Sequence, residues 1–287
     1  MKIWHKILIV LSILAFFCGV LLYDAFYTAP QRFVVRTETI SSMYIPVSMD
    51  NVDVLFFSDL DYGQYMDEER MDKLVETINE VAPDVVIFGG DVFDETVSPQ
   101  DTEKLNAVSE RLAQIKAPLG KFAILGDTDN TPEMRRPVEE VLYLGDFEII
   151  DNRSQSIHND SGEAIAIVGI ENGVNGYSDI TGSFANISPV IFSIVVCHTP
   201  DTAVYVPADL TKYMLAGHSH GGQVYWIFGS LLNYDGALQY FRGKHIIDGR
   251  FTLDISTGTG TRERDIRFLS NAEVVVYHLE HKAITDQ

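Results

Sequence analysis

Cysteine is nearly absent from this 287-residue chain: there are two, Cys18 and Cys197. Cys18 lies in an apolar N-terminal run and Cys197 directly precedes a histidine, so they do not read as a disulfide pair, and no zinc-finger spacing exists. Basic residues are also scarce. Lys and Arg number 21 against 41 Asp and Glu, a formal net charge of −20. Nucleic-acid binders draw much of their affinity from Lys and Arg on phosphates, so the balance argues against nucleic acid as a partner. The same acidity weakens attraction to anionic lipid surfaces. Internal repeats, low-complexity tracts and a clear linker are missing too, which favours one large domain after the N-terminal segment.

What is present begins with "ILIVLSILAFFCGVLL", residues 7–22, an uncharged run that follows Lys2 and Lys6. Trp4 and Tyr23 suit the two membrane interfaces. The run is slightly short for a span, and a cleaved signal peptide is the rival reading. A small-x-small cleavage site is hard to find, because Thr28-Ala29 is followed by Pro30. Residues 1–30 are therefore expected to form a membrane anchor, with 31–287 as one globular domain. The two lysines favour a single-pass protein of the cell membrane with its body outside the cytoplasm.

The body alternates strand and helix patterns. "FVVRTETI" from Phe33 alternates enough for a strand, and "VDVLFFSD" from Val52 suits a strand buried on both faces. Met71, Leu74, Val75 and Ile78 recur at helical spacing, with Asp67, Glu68 and Glu69 in the first turn and Pro83 as the stop. "DVVIFGGD" predicts the next strand, Leu105, Val108, Leu112 and Ile115 a second helix, and "KFAILGD" a third strand. This is the start of a parallel α/β sheet, in which ligands gather beyond the carboxyl ends of the strands. Asp59, Asp91 and Asp127 all sit at that end. The second half is richer in strands: "AIAIVGI", "VIFSIVVCH", "YMLAGHSH", "GQVYWIF", "RFTLDIS" and "EVVVYHL".

Three of the eight histidines stand out. His218 and His220 are two apart, so an extended segment puts both side chains on one face. His198 ends another strand. With Asp59, Asp61, Asp91 and Asp127 they make seven N/O donors without a thiol, a set that suits two divalent ions. Carboxylates crowded at one rim repel, and cations relieve the repulsion.

"SDLDYG", "GGDVFD", "LGDTDN", "VVCHTPD" and "LAGHSHGGQ" come in the order of the motifs of the calcineurin-like metallophosphoesterases, D-x-H, G-D-x-x-D, G-N-H-[DE], a lone His and G-H-x-H. Over residues 50–280 the chain resembles the membrane-anchored bacterial branch of that family. The resemblance implies a four-layer α/β/β/α sandwich of two mixed sheets. It implies one ion on Asp59, Asp61, Asp91 and His220, a second on Asp91, Asp127, His198 and His218, and Asp91 as the bridge. It further implies hydrolysis of a phosphate mono- or diester by a hydroxide between the ions. Asp94 is expected to buttress a loop or to accept a hydrogen bond from a ligand's neighbour.

Three positions depart from the family pattern. The D-x-H histidine is Asp61, the G-N-H asparagine is Asp127, and the G-N-H histidine, an acid–base group in the family, is Thr128. Extra oxygen donors favour Mn, Mg or Fe over Zn. Asp91, Asp127 and Thr128 are the expected catalytic positions. Thr128 removes a proton donor of a kind typically worth ~10²–10⁴-fold, and it leaves Asp129 without the histidine it orients in the family. The alternative is a metal-binding membrane protein with weakened catalysis that acts by interaction. No motif names the substrate. The anchor makes a phosphorylated lipid or cell-envelope intermediate the natural class. Arg262, Arg264 and Arg267 are candidates to hold an anion, with Arg267 more structural. Tyr62, Tyr65 and Tyr234 are candidates to line a pocket or simply to pack.

Overall fold

A computed structural model describes residues 3–159, 162–226, 229–230 and 232–283. The uncharged N-terminal run lies within one helix, α1 (Ile3–Tyr23), apolar all round and exposed along its length. Apolar side chains on every face suit lipid as the solvent. The helix continues through a π turn (Asp24–Thr28) and a 3-10 turn (Ala29–Gln31). The whole segment, 29 residues, is long and apolar enough to cross a membrane. Its base is already part of the body: Ala25, Ala29 and Pro30 are buried.

The chain next lays down β1 (Phe33–Ser42), β2 (Asp53–Phe57), α2 (Glu68–Val81), β3 (Val85–Phe88), α3 (Thr102–Leu112), β4 (Lys121–Ala123), α4 (Arg135–Leu144) and β5 (Glu148–Ile149). It then supplies β6 (Arg153–His158), β7 (Ala164–Ile170), α5 (Ile180–Ser183), β8 (Ser193–Cys197) and β9 (Tyr213–Ala216). A two-stranded ribbon follows, β10 (Tyr225–Trp226) with β11 (Gly229–Ser230), and then β12 (Gly243–Ile247), β13 (Phe251–Ile255) and β14 (Ala272–His281). Ile227 and Phe228 of the strand expected in "GQVYWIF", and residues 284–287 of the expected domain, lie outside the described residues.

Two six-stranded mixed sheets face each other, in the orders β1-β14-β2-β3-β4-β5 and β12-β13-β9-β8-β7-β6. In the first, β2 to β5 are parallel, while β14 enters antiparallel to β2 and pairs with β1 over the whole of both strands. In the second, β7, β8, β9 and β13 are parallel, with β6 and β12 antiparallel at the edges. Val54, Phe56, Ile87, Ile167, Ile194, Val196 and Leu215 interdigitate between the sheets. They come from alternate positions of strands that are apolar throughout, so each strand feeds the inter-sheet core on one face and an outer core on the other.

The outer face of the first sheet is covered by α2, α3 and α4. Asp67 caps α2 by accepting from Arg70 N, Ala82 ends it in the left-handed region, and Pro83 prevents its resumption. Asp101 caps α3 by accepting from Lys104 N. That helix ends at Leu112, so Ile115 packs into the same core from beyond the helix rather than within it. The outer face of the second sheet is covered more thinly, by α5 and a 3-10 segment, Pro200–Tyr205. The α/β/β/α order holds, with a reduced fourth layer. The parallel strands point their carboxyl ends to one rim of the sandwich, and the candidate site is built there.

Candidate metal centre

Asp59 and Asp61 follow β2, Asp91 follows β3 and Asp127 follows β4; His198 follows β8, and His218 and His220 follow β9. Five of these seven residues have positive φ: Asp59 (54°), Asp61 (45°), Asp91 (63°), His218 (69°) and His220 (50°). A non-glycine residue in that region is strained, and such strain concentrates at functional sites. The glycine pair before Asp91 has a spatial role. Gly90 has φ +96°, and a Cβ there would lie 2.4 Å from Gly126 N. A Cβ on Gly126 would lie 2.0 Å from Asp91 Oδ1. The two strand-end loops therefore press backbone against backbone, and the Asp91 carboxylate reaches the rim through the space left by the missing side chains.

Asp91, Asp127, His198 and His218 bring one ligand atom each to within 4.8 Å of all the others. His198 Nε2 lies 3.1 Å from Asp91 Oδ2 and 3.2 Å from Asp127 Oδ1, and His218 Nδ1 lies 2.9 Å from Asp127 Oδ1. The far nitrogens are committed. His198 Nδ1 is 2.7 Å from Gly89 O, and His218 Nε2 is 2.7 Å from Asp235 O. A carbonyl only accepts, so each of these nitrogens carries the proton. With both rings neutral, as metal ligands must be, the lone pairs of His198 Nε2 and His218 Nδ1 would face each other, 3.1 Å apart. Two lone pairs and two carboxylates converging on one point call for a cation. The same field acts on protons: burial alone would lower the proton affinity of His198, but Asp91 and Asp127 hold it well above the ordinary imidazole value.

Asp59, Asp61 and His220 lie beside this group. His220 Nε2 is 3.4 Å from Asp61 Oδ2 and 3.7 Å from Asp59 Oδ1. All three residues are fully buried, yet both Asp61 oxygens and both His220 nitrogens have no hydrogen-bond partner among the described residues. Buried polar atoms are costly when unsatisfied, so a cluster of them fits a divalent ion on those atoms. Burial, with Asp91 nearby, drives Asp61 well above the usual carboxylate range, and burial raises Asp59 as well. Burial, then Arg267 and Arg262, holds His220 well below the usual imidazole value, which keeps it a neutral ligand. Asp59 is fixed by His218 N, which donates to its Oδ1 at 2.8 Å, and by the Ser58 hydroxyl, which donates to its other oxygen. Burial and Asp127 push Asp91 up, but His198 and Arg262 outweigh them and leave it below its ordinary value.

Thr128 faces Asp91: its N–H and hydroxyl donate to Asp91 Oδ1 at 3.0 and 2.9 Å. Asp129 is not left without partners. Its carboxylate accepts from Asp91 N (2.7 Å), Val92 N (2.8 Å) and Gly126 N (2.9 Å), tying two strand-end loops together. Burial and the nearby Asp91 carboxylate push it up to about 7 against those three donors. Asp94 holds a loop as expected, accepting from Gln64 N, Thr96 N and Thr96 Oγ1. Arg267 is buried and its guanidinium donates to the carbonyls of Thr257, Gly258, Gly260, Ser270 and Asn271, a structural role. Arg264 is exposed, whereas Arg262 reaches the carboxylates. Tyr62 packs edge-on against Phe93 in the core, Tyr65 donates to Glu263 O at 3.0 Å, and Tyr234 lies over the site histidines. Gln223, a buried side chain that grips the Arg262 segment, carries no sequence signal beyond its place after the glycine pair.

Residues 52–222 match the family model described as calcineurin-like phosphoesterase. The metallophosphoesterase YkuE of Bacillus subtilis (strain 168) is 28% identical over 255 residues, covering 88% of this chain and 88% of its own. The UDP-2,3-diacylglucosamine pyrophosphatase LpxG of Chlamydia muridarum (strain MoPn / Nigg) is 25% identical over 274 residues, covering 78% of this chain and 82% of its own. Among solved structures, TT1561 of Thermus thermophilus aligns with a TM-score of 0.45 at 11% identity, over 72% of this chain and 90% of that one. The family match runs from β2 to the loop after β9, more than half of the sequence, and the chain belongs to the calcineurin-like phosphoesterase family.

Proposed function

We propose that the protein is a phosphoesterase that depends on divalent metal ions and hydrolyses a phosphate mono- or diester at a membrane surface. The observation that carries this reading is the pair of facing imidazole nitrogens, His198 Nε2 and His218 Nδ1, set against Asp91 and Asp127. Those four residues would hold one ion. Asp59, Asp61 and His220, with Asp91 shared, would hold another. Four carboxylates, three imidazoles and no thiolate favour Mn, Mg or Fe over Zn. When bound, such ions supply a hydroxide nucleophile near neutral pH and polarise the phosphoryl oxygens.

The chain's own residues prepare that chemistry. Gly89 O and Asp235 O decide which imidazole nitrogens face inward. Thr128 orients Asp91, and Asp129 locks the Asp91 and Gly126 backbones together. With its hydroxyl on Asp91, Thr128 is a poor proton donor to a leaving oxygen, so hydrolysis is limited at that step. The LpxG relative is named for a lipid-bearing pyrophosphate. Together with α1, that supports a lipid-linked or cell-envelope phosphate as substrate, and Lys2 and Lys6 ahead of the apolar run favour a body outside the cytoplasm. The commitment of Thr128 to Asp91 also favours a second reading, a metal-binding membrane protein that hydrolyses little.

The test uses the full-length protein in detergent with Mn and bis(p-nitrophenyl) phosphate. Mn-dependent turnover that disappears in His198→Ala and His218→Ala supports the enzyme. Two bound ions per chain without turnover would return the second reading.

A further inference from the structure

A cleft of about 310 Å³, whose lining includes Tyr65, Asp94, Glu95, Tyr234, Arg262 and Glu263, meets the candidate centre through Arg262 and Tyr234, which lie against its carboxylates and histidines. Arg262 is the basic residue of that lining. Its position is set by two side chains, Gln223 and Tyr234. Its N–H donates to Gln223 Oε1 at 2.9 Å, and Gln223 Nε2 donates back to Arg262 O at 3.0 Å and to Arg264 O at 2.9 Å. Its guanidinium lies 5.4 Å from the centroid of the Tyr234 ring. That ring also sits 5.8 Å from His218 and 6.0 Å from His220, over donors from both ligand sets.

The donors of this guanidinium are held ready but not spent. Nε lies 3.9 Å from Asp61 Oδ1, and the two terminal nitrogens lie 3.6 Å from Asp91 Oδ2 and 3.8 Å from Asp127 Oδ2. These separations attract a cation without forming hydrogen bonds. An arginine fork with five N–H donors, fixed at the mouth of a phosphoesterase centre, matches two oxygens of a tetrahedral phosphoryl group. A second polar atom points to a ligand as well. The Tyr234 hydroxyl is buried and has no hydrogen-bond partner among the described residues.

The rest of the lining limits what else the ligand carries. Asp94, Glu95 and Glu263 set three carboxylates against one guanidinium. Another phosphate or carboxylate on the substrate would meet like charge. Hydroxyls would instead meet Gln64, Tyr65 and Thr96. We propose that Arg262 grips the phosphoryl group of the substrate, and that the cleft takes a single phosphate ester of an uncharged, hydroxyl-bearing alcohol such as glycerol or a sugar. This rests on the phosphoesterase reading and narrows its substrate class.

The experiment measures binding of inorganic phosphate by calorimetry to the full-length, Mn-loaded protein, with metal content read separately by mass spectrometry. Arg262→Ala is expected to keep wild-type metal content and to bind phosphate about 10-fold or more weakly, the scale of a lost charge-assisted pair. Arg262→Lys keeps the charge but not the fork and should fall between the two. If Arg262→Ala lost metal, Arg262→Lys at full loading would decide. Wild-type phosphate affinity in an arginine variant at full metal loading would overturn the grip. Among substrates, kcat/KM is expected to favour a glycerol or sugar phosphodiester over a nucleoside diphosphate ester. The reverse preference would overturn the substrate class. A wild type that hydrolysed nothing, yet bound phosphate through Arg262, would remove the hydrolase reading and leave the anion grip standing.

Discussion

Thr128 donates twice to one oxygen of Asp91, and that geometry shapes the expected kinetics. On the proposed phosphoesterase reading, position 128 offers no imidazolium to meet the growing charge of a departing oxygen. Rates should fall steeply as the leaving group becomes more basic, with nitrophenyl esters far better than alkyl esters. Thr128→His should flatten that dependence. The gain is expected to be partial, because Asp129 is already engaged by three backbone N–H groups and is not free to orient a new ring. Rate against leaving-group pKa, for both proteins at the same metal loading, decides the matter; equal slopes would show that Thr128 is not where the chemistry is limited. A second residue reports on pH. Burial pushes the Asp151 carboxyl up to about 7, and the Leu125 N–H only partly opposes this. Its folded pKa exceeds the ordinary value of about 3.9, so its contribution favours folding below that pH. The contribution is lost as pH rises toward 7. Asp151→Asn keeps the acceptor for Leu125 and should match wild type near pH 4 while becoming more stable, by ~1–4 kcal/mol, at pH 8. Urea unfolding at both pH values tests it, and a pH-independent difference would reject the assignment.

At the scale of elements, what is legible in the sequence follows periodicity. α2 announces itself through Met71, Leu74, Val75 and Ile78, all buried, and through its acidic first turn. β2, β3, β8 and β9 show as apolar runs because both of their faces are covered. β6 does not show: "RSQSIH" is a polar edge strand with one fully buried side chain, Ile157. α4 is also hidden, its short apolar stripe of Val138, Val141 and Leu142 masked by Pro137 and two arginines at its start. Among the site residues, the spacing of strand-end Asp and His is readable, but Arg262 and Tyr234 meet the site only through tertiary folding. The insertion of β14 between β1 and β2 is equally invisible, and it creates a cross-sheet ion pair. Arg36 on β1 donates to both oxygens of Asp254 on β13, at 2.9 and 3.1 Å, and Tyr277 on β14 donates to Asp254 at 2.9 Å. Asp254 is fully buried, so Arg36→Met should cost ~3–5 kcal/mol by leaving that charge uncompensated. Adding Asp254→Asn should recover part of the loss. Chemical denaturation of the single and double variants measures it, and additive effects would show that the pair does not act as a unit.

At the scale of the whole molecule, the apolar helix and the phosphoesterase-family body are joined by more than a tether. Arg267 N donates to Ala25 O at 3.0 Å, while the Arg267 side chain gathers the carbonyls of the loop between β13 and β14. That loop presses on the centre, with Gly260 N donating to Asp59 O at 2.6 Å. Arg262 belongs to the same loop. The base of the apolar helix therefore closes the back of the segment that forms one wall of the candidate site. Two soluble fragments separate an anchor that merely hangs from one that completes the fold. A fragment starting at residue 24 keeps buried Ala25, Ala29 and Pro30; a fragment starting at residue 33 exposes their seats and leaves Arg267 N without its acceptor. Loss of one backbone hydrogen bond and a small apolar contact costs ~1–3 kcal/mol. For a chain of this size that lowers Tm by ~2–8 °C. The shorter fragment should also hold Mn more weakly, because the Gly258–Gly260 turn under Asp59 loses its support. Thermal unfolding and Mn titration of both fragments give the answer. Equal Tm and equal Mn affinity would mean that the base of the apolar helix lies against the body without contributing to the site.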